Sequence, residues 1–157
     1  MMNLEKLKQA CVEVMETAPA AYLTTIGADG YPHTRAMFNL RNRRRYPNQA
    51  HLFVNHQRDL LVYFTTNTSS GKVREIQANP CVSVYYCDPK EVKGVMLGGD
   101  MEIVADLGIR HALWNEGWER YYPGGPDDPD YAVLRLVPKL AMGWYKGRRF
   151  EFRLEGT

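Results

Sequence analysis

Residues 60–80 read LLVYFTTNTSSGKVREIQANP, an apolar run followed by the hydroxyls Thr65, Thr66, Ser69 and Ser70 and then by Lys72. The spacing predicts a buried strand that passes through a polar turn into a short helix, Gly71 to Asn79, stopped by Pro80. The first turn of a helix has unpaired N–H groups and a partial positive charge, so an anion is stabilised there before any side chain acts. Hydroxyl donors and the charge of Lys72 would add to that field, which is the design of a phosphate site. Ser and Thr before a helix are equally ordinary N-caps, and the segment alone leaves both readings open.

Other chemistries find less support. No G-x-G-x-x-G or Walker loop is present. His33, His51, His56 and His111 are scattered without H-x-x-x-H spacing or a C-x-x-C partner, so no metal site is expected. Asp127, Asp128 and Asp130 do not follow the spacing of a calcium loop and read as a solvated turn. Arg41, Arg43, Arg44 and Arg45, flanked by Tyr46, form the one basic cluster. With 20 basic and 18 acidic residues the net charge is only +2, so a solvated loop is preferred there to a nucleic-acid grip.

The elements that must position the phosphate segment can be read from periodicity. An amphipathic helix from Asn3 to Thr17 ends before Pro19, with Cys11 on its apolar face beside Leu4, Leu7 and Val14. Ala21 to Ile26 and His33 to Leu40 flank an Asp29-Gly30 pair and read as a hairpin. His51 to Asn55, Leu60 to Thr66, Cys81 to Cys87 and Lys93 to Ala105 are further extended segments; Gly98-Gly99 in the last marks a bulge, a barrel corner or a close approach. Asp106 to Tyr121 reads as a helix carrying Trp114, Trp118 and Tyr121 as a packing stripe. Tyr131 to Val137, Leu140 to Tyr145 and Arg149 to Leu154 complete the strands.

Seven or eight strands with three helices and short connections favour a mainly β fold, an antiparallel sheet closed or split as a small barrel, in one domain over residues 1–157. The expected location is cytoplasmic, because no apolar stretch reaches the ~20 residues of a membrane span and the N-terminus is charged and amphipathic. Cys81 and Cys87 on one strand lie too far apart to bridge.

The hairpin AYLTTIGADGYPHTRAMFN, the segment VYFTTNTSSGKVREIQANPCVSVYY and the stretch YYPGGPDDPDYAVLRLVPKLAMGWY together resemble the FMN-binding split-barrel family related to pyridoxamine 5'-phosphate oxidase, in particular its general-stress-protein branch. The resemblance covers nearly the whole chain. It implies an antiparallel split β-barrel, a homodimer with FMN between its subunits, and a flavin phosphate held by Arg35 and Lys72. It places Ala36, Met37, Phe38 and Asn39 along the isoalloxazine ring, Thr65 and Thr66 near the ribityl chain and phosphate, Ser70 as the turn hydroxyl, and Trp144 near the flavin. From the residues alone, a solvent-facing strand residue is the commoner fate of an arginine such as Arg35, but its pairing with Lys72 favours a dianion site; Met37 and Phe38 stay open to a core reading, and Trp144 to a packing or interface one. The arginine and histidine motif of the oxidase proper has no counterpart in GRRFEFRLEGT, so oxidation of pyridoxamine phosphate is not expected. The implied activity is electron or hydride transfer to a small-molecule substrate, with no general acid or base assigned. The rival readings are a non-catalytic flavin carrier or sensor, and a binding module for haem or, through the arginine loop, nucleic acid.

Overall fold

The structure is a computed structural model that describes residues 2–154; the ends of the 1–157 domain expected from sequence lie outside them. Helix α1, Leu4–Thr17, is capped by the Asn3 side chain, which accepts from Lys6 N at 2.9 Å. Its buried residues Cys11, Val14 and Met15 face the core, as their 3- and 4-residue spacing requires. Burial pushes the Cys11 thiol up to about 12, which makes it an inert packing group.

Strands β1 (Ala21–Ile26) and β2 (Pro32–Met37) form the hairpin around Gly30, whose φ of 83° needs a glycine. β3 (Val62–Asn67) leads into α2 (Gly71–Ala78), followed by β4 (Cys81–Asp88) and β5 (Lys93–Val104). After α3 (Leu107–Ala112) the chain closes with β6 (Tyr131–Leu136), β7 (Leu140–Tyr145) and β8 (Arg148–Arg153). All strand pairs are antiparallel, in the order β2-β1-β4-β5-β6-β3, with β7 joining β5 and β8 pairing β7. The result is a curled half-barrel sheet with flanking helices.

The corner lies at Gly98-Gly99. Before it β5 pairs with β7, from Gly94 to Gly98; after it, Met101 to Val104 pair with β6. A Cβ on Gly99 would stand 3.0 Å from Leu136 Cδ1 and 3.3 Å from the Pro138 backbone, so a side chain there would crowd the crossing.

β3 is buried on both faces, and its two faces serve different cores. Val62 and Phe64 belong to the barrel interior with Leu23, Val84 and Leu97, whereas Leu61 and Tyr63 join an outer aromatic cluster with Phe53, Trp118, Tyr122 and Tyr131. Two expectations fail in building that second cluster. Residues 51–55 are not a strand: a 3₁₀ helix, Pro47–Phe53, occupies the position, with Pro47 preset for a helical first turn. The helix expected from Asp106 to Tyr121 stops at Ala112, and Trp118 belongs to a separate 3₁₀ turn entered through Gly117 at φ 92°. The basic cluster needs correction as well. Arg41 is only 3% exposed and lies in the interior, while Arg43 reaches Glu16 at 3.6 Å.

Candidate functional site

Thr65 and Thr66 end β3 beside the start of α2, and Lys72 reaches back across that junction to donate to Thr66 Oγ1 at 3.0 Å. The turn between the two elements is pinned by Asp130, whose carboxylate accepts from Ser69 N at 2.8 Å and from Asn67 Nδ2 at 2.6 Å. Thr68 N donates to the Asp130 carbonyl at 2.7 Å. Asp130, expected in a solvated turn, therefore shapes the hydroxyl turn. Its carboxyl is held below the usual range by the Asn67 and Ser69 bonds.

Ser70 takes the N-cap position of α2 with an extended backbone, but its hydroxyl makes no capping bond. Ser70 Oγ is buried with no hydrogen-bond partner among the described residues. An orphaned buried hydroxyl costs about 1–3 kcal/mol unless something binds it. Lys72 forms no ion pair among the described residues, and burial, then the nearby Arg35, press its ammonium below the ordinary lysine value. An unneutralised, partly desolvated cation, an unpaired hydroxyl and the open N–H groups of a helix start fit a phosphate group.

Of these groups Lys72 lines a cavity of about 250 Å³, bounded also by Ala36, Met37, Phe38, Thr65, Thr66, Asn67, Trp118, Tyr121 and Tyr122. Six residues expected at the site, Ala36, Met37, Phe38, Thr65, Thr66 and Lys72, thus come together on its wall. Four others do not line it: Ser70, at the N-cap of α2, and Asn39, Arg35 and Trp144. Asn39 closes the C-terminal end of α1, donating to the Met15 and Ala18 carbonyls at 2.8 and 2.9 Å. Arg35 points from the opposite face of β2 to Ala36 and donates to Thr25 Oγ1 at 2.7 Å, to the His33 carbonyl at 2.9 Å and to Glu75 at 3.1 Å. Trp144 stands 49% exposed on β7, paired with Gly94, and does not line the cavity. Conversely Trp118 and Tyr121, taken from sequence as a packing stripe, reach the cavity wall. Asn67 and Tyr122 join them there, and only the aromatic stripe gave a signal in the sequence. A wider groove of about 910 Å³ between the start of α1 and the β7–β8 hairpin holds none of the expected residues.

Glu75 organises the far side of α2. It accepts from Thr25 at 3.0 Å, from Arg35 at 3.1 Å and faces His33 Nδ1 at 2.8 Å, locking the helix onto the hairpin. Partial burial pushes its carboxyl up, but the Thr25 hydroxyl, His33 and Arg35 together outweigh it, and the net shift is downward. A carboxylate with a depressed folded-state value contributes stability above its unfolded value and loses it as pH falls through the folded one. Wild-type stability is therefore expected to fall more steeply than that of Glu75→Gln through and below the ordinary glutamate range, measured by urea denaturation across that window. Parallel pH profiles would remove Glu75 from the acid response.

No helix among the described residues is long and apolar enough to cross a membrane, and no three His, Cys, Asp or Glu side chains among them gather as a metal site. Comparison with known proteins gives the fold its relatives. A protein from Clostridium acetobutylicum related to general stress protein 26, of the pyridoxinephosphate oxidase family, superposes with a TM-score of 0.72 at 27% identity, covering 96% of each chain. General stress protein 26 from Bacillus anthracis follows at 0.68 and 19%, over 93% of this chain and 98% of that one. A structure described as an F420 reductase matches at 0.53 and 23%, over 82% and 93%. No curated protein matches the chain. The family model described as pyridoxamine 5'-phosphate oxidase like matches residues 6–156, from the first helix to beyond the last strand, and on that span the chain belongs to this family.

Proposed function

We propose that the protein is an FMN-binding flavoprotein that acts as an oxidoreductase on a small substrate. The observation that carries this reading is the pairing of the partnerless Ser70 hydroxyl with the uncompensated Lys72 ammonium at the start of α2. Lys72 would neutralise the phosphate, Ser70 Oγ and the first-turn amides of α2 would donate to it, and Thr65 and Thr66 would contact the chain that joins phosphate to ring. The strand end Ala36 to Phe38 would lie along the ring. Arg35, held by Glu75, would add charge from behind rather than by direct contact in this arrangement. Bound there, FMN supplies two-electron redox chemistry at its ring, and the chain orients it and sets its surroundings.

The cavity of one chain is smaller than the ~300–1,000 Å³ of complete small-molecule sites, which supports a homodimer in which a second copy completes the envelope. In that assembly the exposed Trp144 is a candidate for the partner's flavin. Three free thiols suit a cytoplasmic location. A haem reading has less to stand on, since no histidine or cysteine lines the cavity among the described residues. Nucleic-acid binding through the arginine loop loses its first member, because Arg41 is interior.

The purified protein is expected to show a flavin absorption spectrum, and the stripped protein to take up FMN with affinity well above that for riboflavin. A titration in which riboflavin binds as tightly as FMN would remove the phosphate site from the reading, and failure to bind either would remove the function.

A further inference from the structure

The groove of about 910 Å³ between the start of α1 and the β7–β8 hairpin shares no residue with the proposed flavin cavity. Alternation sorts its hairpin wall. Tyr145 stands directly opposite Arg148, and Gly143 opposite Phe150, so Tyr145, Arg148 and Phe150 share one face of the hairpin while Arg149 shares the other with Trp144. Leu7 and Tyr145 pack, half-buried, against the barrel core, to which the buried Phe150 belongs. The groove therefore has an apolar floor continuous with that core. On α1, Asn3, Lys6 and Leu7 follow the 3- and 4-residue spacing of one helix face, which sets Lys6 at the edge of the floor beside Leu7.

Above the floor the walls are cationic. Lys6, Lys146, Arg148 and Arg149 line the groove against one carboxylate, Glu151. Glu151 lies 4.0 Å from Arg149, and Lys6, Lys146 and Arg148 form no ion pair among the described residues. The carboxylates of α1 are engaged elsewhere: Glu5 meets Arg58 at 3.0 Å, Glu13 meets Lys93 at 3.4 Å and Glu16 meets Arg43 at 3.6 Å. The hairpin tip is fixed. Lys146 and Gly147 take φ of 51° and 80°, the two left-handed positions of a two-residue turn, and Gly147 N donates to the Val92 carbonyl at 3.2 Å. Asparagine is ordinary at the first of these positions and lysine is not; here it sets an ammonium 5.5 Å from the Tyr145 ring centroid.

We infer that this groove binds a free acyl anion of medium length, whose carboxylate faces Lys6 and Arg148 and whose chain covers Leu7, Tyr145 and Phe150. Charge complementarity sets the head group, since three cations stand there without a counter-charge of their own. The floor sets the tail. It joins one aliphatic side chain to two aromatic ones of unequal burial, an uneven surface that a flexible chain follows and a flat ring does not. The methylene stems of Lys6 and Arg148 extend the apolar contact below their charges. A concave site of this size admits a single chain, not the face of a bilayer. The inference does not depend on the flavoprotein reading.

The test is calorimetry on the full chain with octanoate, decanoate and decyltrimethylammonium, the last carrying the longer chain with the opposite charge, each at monomeric concentrations and with and without FMN. Decanoate is expected to bind roughly tenfold tighter than octanoate, the scale of two buried methylenes, and at least roughly tenfold tighter than decyltrimethylammonium, with no effect of FMN. Lys6→Gln and Arg148→Gln should each lower decanoate affinity about three- to fivefold, the scale of one exposed charge contact. Arg149→Gln, on the other face of the hairpin, should lower it less than about twofold. All three side chains are exposed, so the variants are expected to fold as wild type does. Decyltrimethylammonium binding as tightly as decanoate, equal losses in Arg148→Gln and Arg149→Gln, or no binding of either carboxylate would overturn the proposal. So would decanoate affinity that falls as FMN is added, which would seat the chain in the flavin cavity, and a change of oligomeric state with decanoate, which would give the groove to a second copy. A protein that binds decanoate as expected but no FMN would keep this site and lose the flavoprotein reading, so the two failures are separable.

Discussion

Lys72→Ala is expected to lower FMN affinity by roughly 10- to 100-fold while changing riboflavin affinity little. The magnitude follows from one charge-assisted contact, about 1.5–3 kcal/mol, lost from a partly desolvated anion site. The sign of the selectivity follows from the proposed site: the ammonium stands at the helix start, bonded among the described residues to Thr66 Oγ1, where the proposal puts the phosphate and not the ring. Ser70→Ala should cost less, roughly three- to tenfold, because it removes one neutral donor. It should also leave or slightly raise the stability of the flavin-free protein, since the hydroxyl it deletes is buried without a partner among the described residues. A ligand-bound hydroxyl and a merely unsatisfied one differ there: only the first weakens FMN on removal. Titration of FMN and riboflavin against wild type, Lys72→Ala and Ser70→Ala, with circular dichroism to confirm folding, separates the contributions. Loss of both flavins in equal measure on Lys72→Ala would mean that the lysine supports the fold of the turn instead.

Lys72 was legible because its signal is local. A strand, a hydroxyl turn and a helix start are written in adjacent residues, and helix polarity then fixes what the junction attracts. The same holds for the hairpin, whose Asp29-Gly30 turn sets the register Ala21 to Met37. The barrel corner at Gly98-Gly99 was visible as a glycine pair, though which strands exchange there was not. What sequence left obscure depends on which face of a strand meets which partner. Arg35 and Ala36 are neighbours on β2, yet one turns to Glu75 and the other to the cavity. Alternation says that they part, not where each goes. Trp118 and Tyr121 were readable as an aromatic stripe at helical spacing, but Gly117 breaks that helix and re-aims both rings. Their surroundings are set by Tyr63 and Tyr131, far away in the chain, and no local pattern carries that information.

Arg41 is the clearest misreading and gives the largest expected loss of stability. In sequence it opens a run of four arginines; in the structure its Nε donates to the Leu61 carbonyl at 2.9 Å, its guanidinium to the His56 carbonyl at 2.6 Å, and its plane lies 4.8 Å from the Phe53 ring. Burial presses its pKa below the ordinary arginine value, partly offset by Tyr86, Glu16 and Asp59, and one nitrogen lacks a partner among the described residues. The side chain therefore ties the segment after β2 to the entry of β3 and to the 3₁₀ helix in the aromatic cluster. Arg41→Ala would strand two buried carbonyls and open a void beside Phe53. The expected cost is roughly 2–5 kcal/mol. Arg41→Lys should recover only part of it, since an ammonium cannot present a planar fork to two carbonyls and an aromatic face at once. Arg44→Ala, on an exposed position of the same run, should stay within about 0.5 kcal/mol of wild type. Urea denaturation of the three variants, compared at constant slope, makes the distinction. Equal midpoints for Arg41→Ala and Arg44→Ala would return the whole run to solvent, and with it the nucleic-acid reading that its burial weakens.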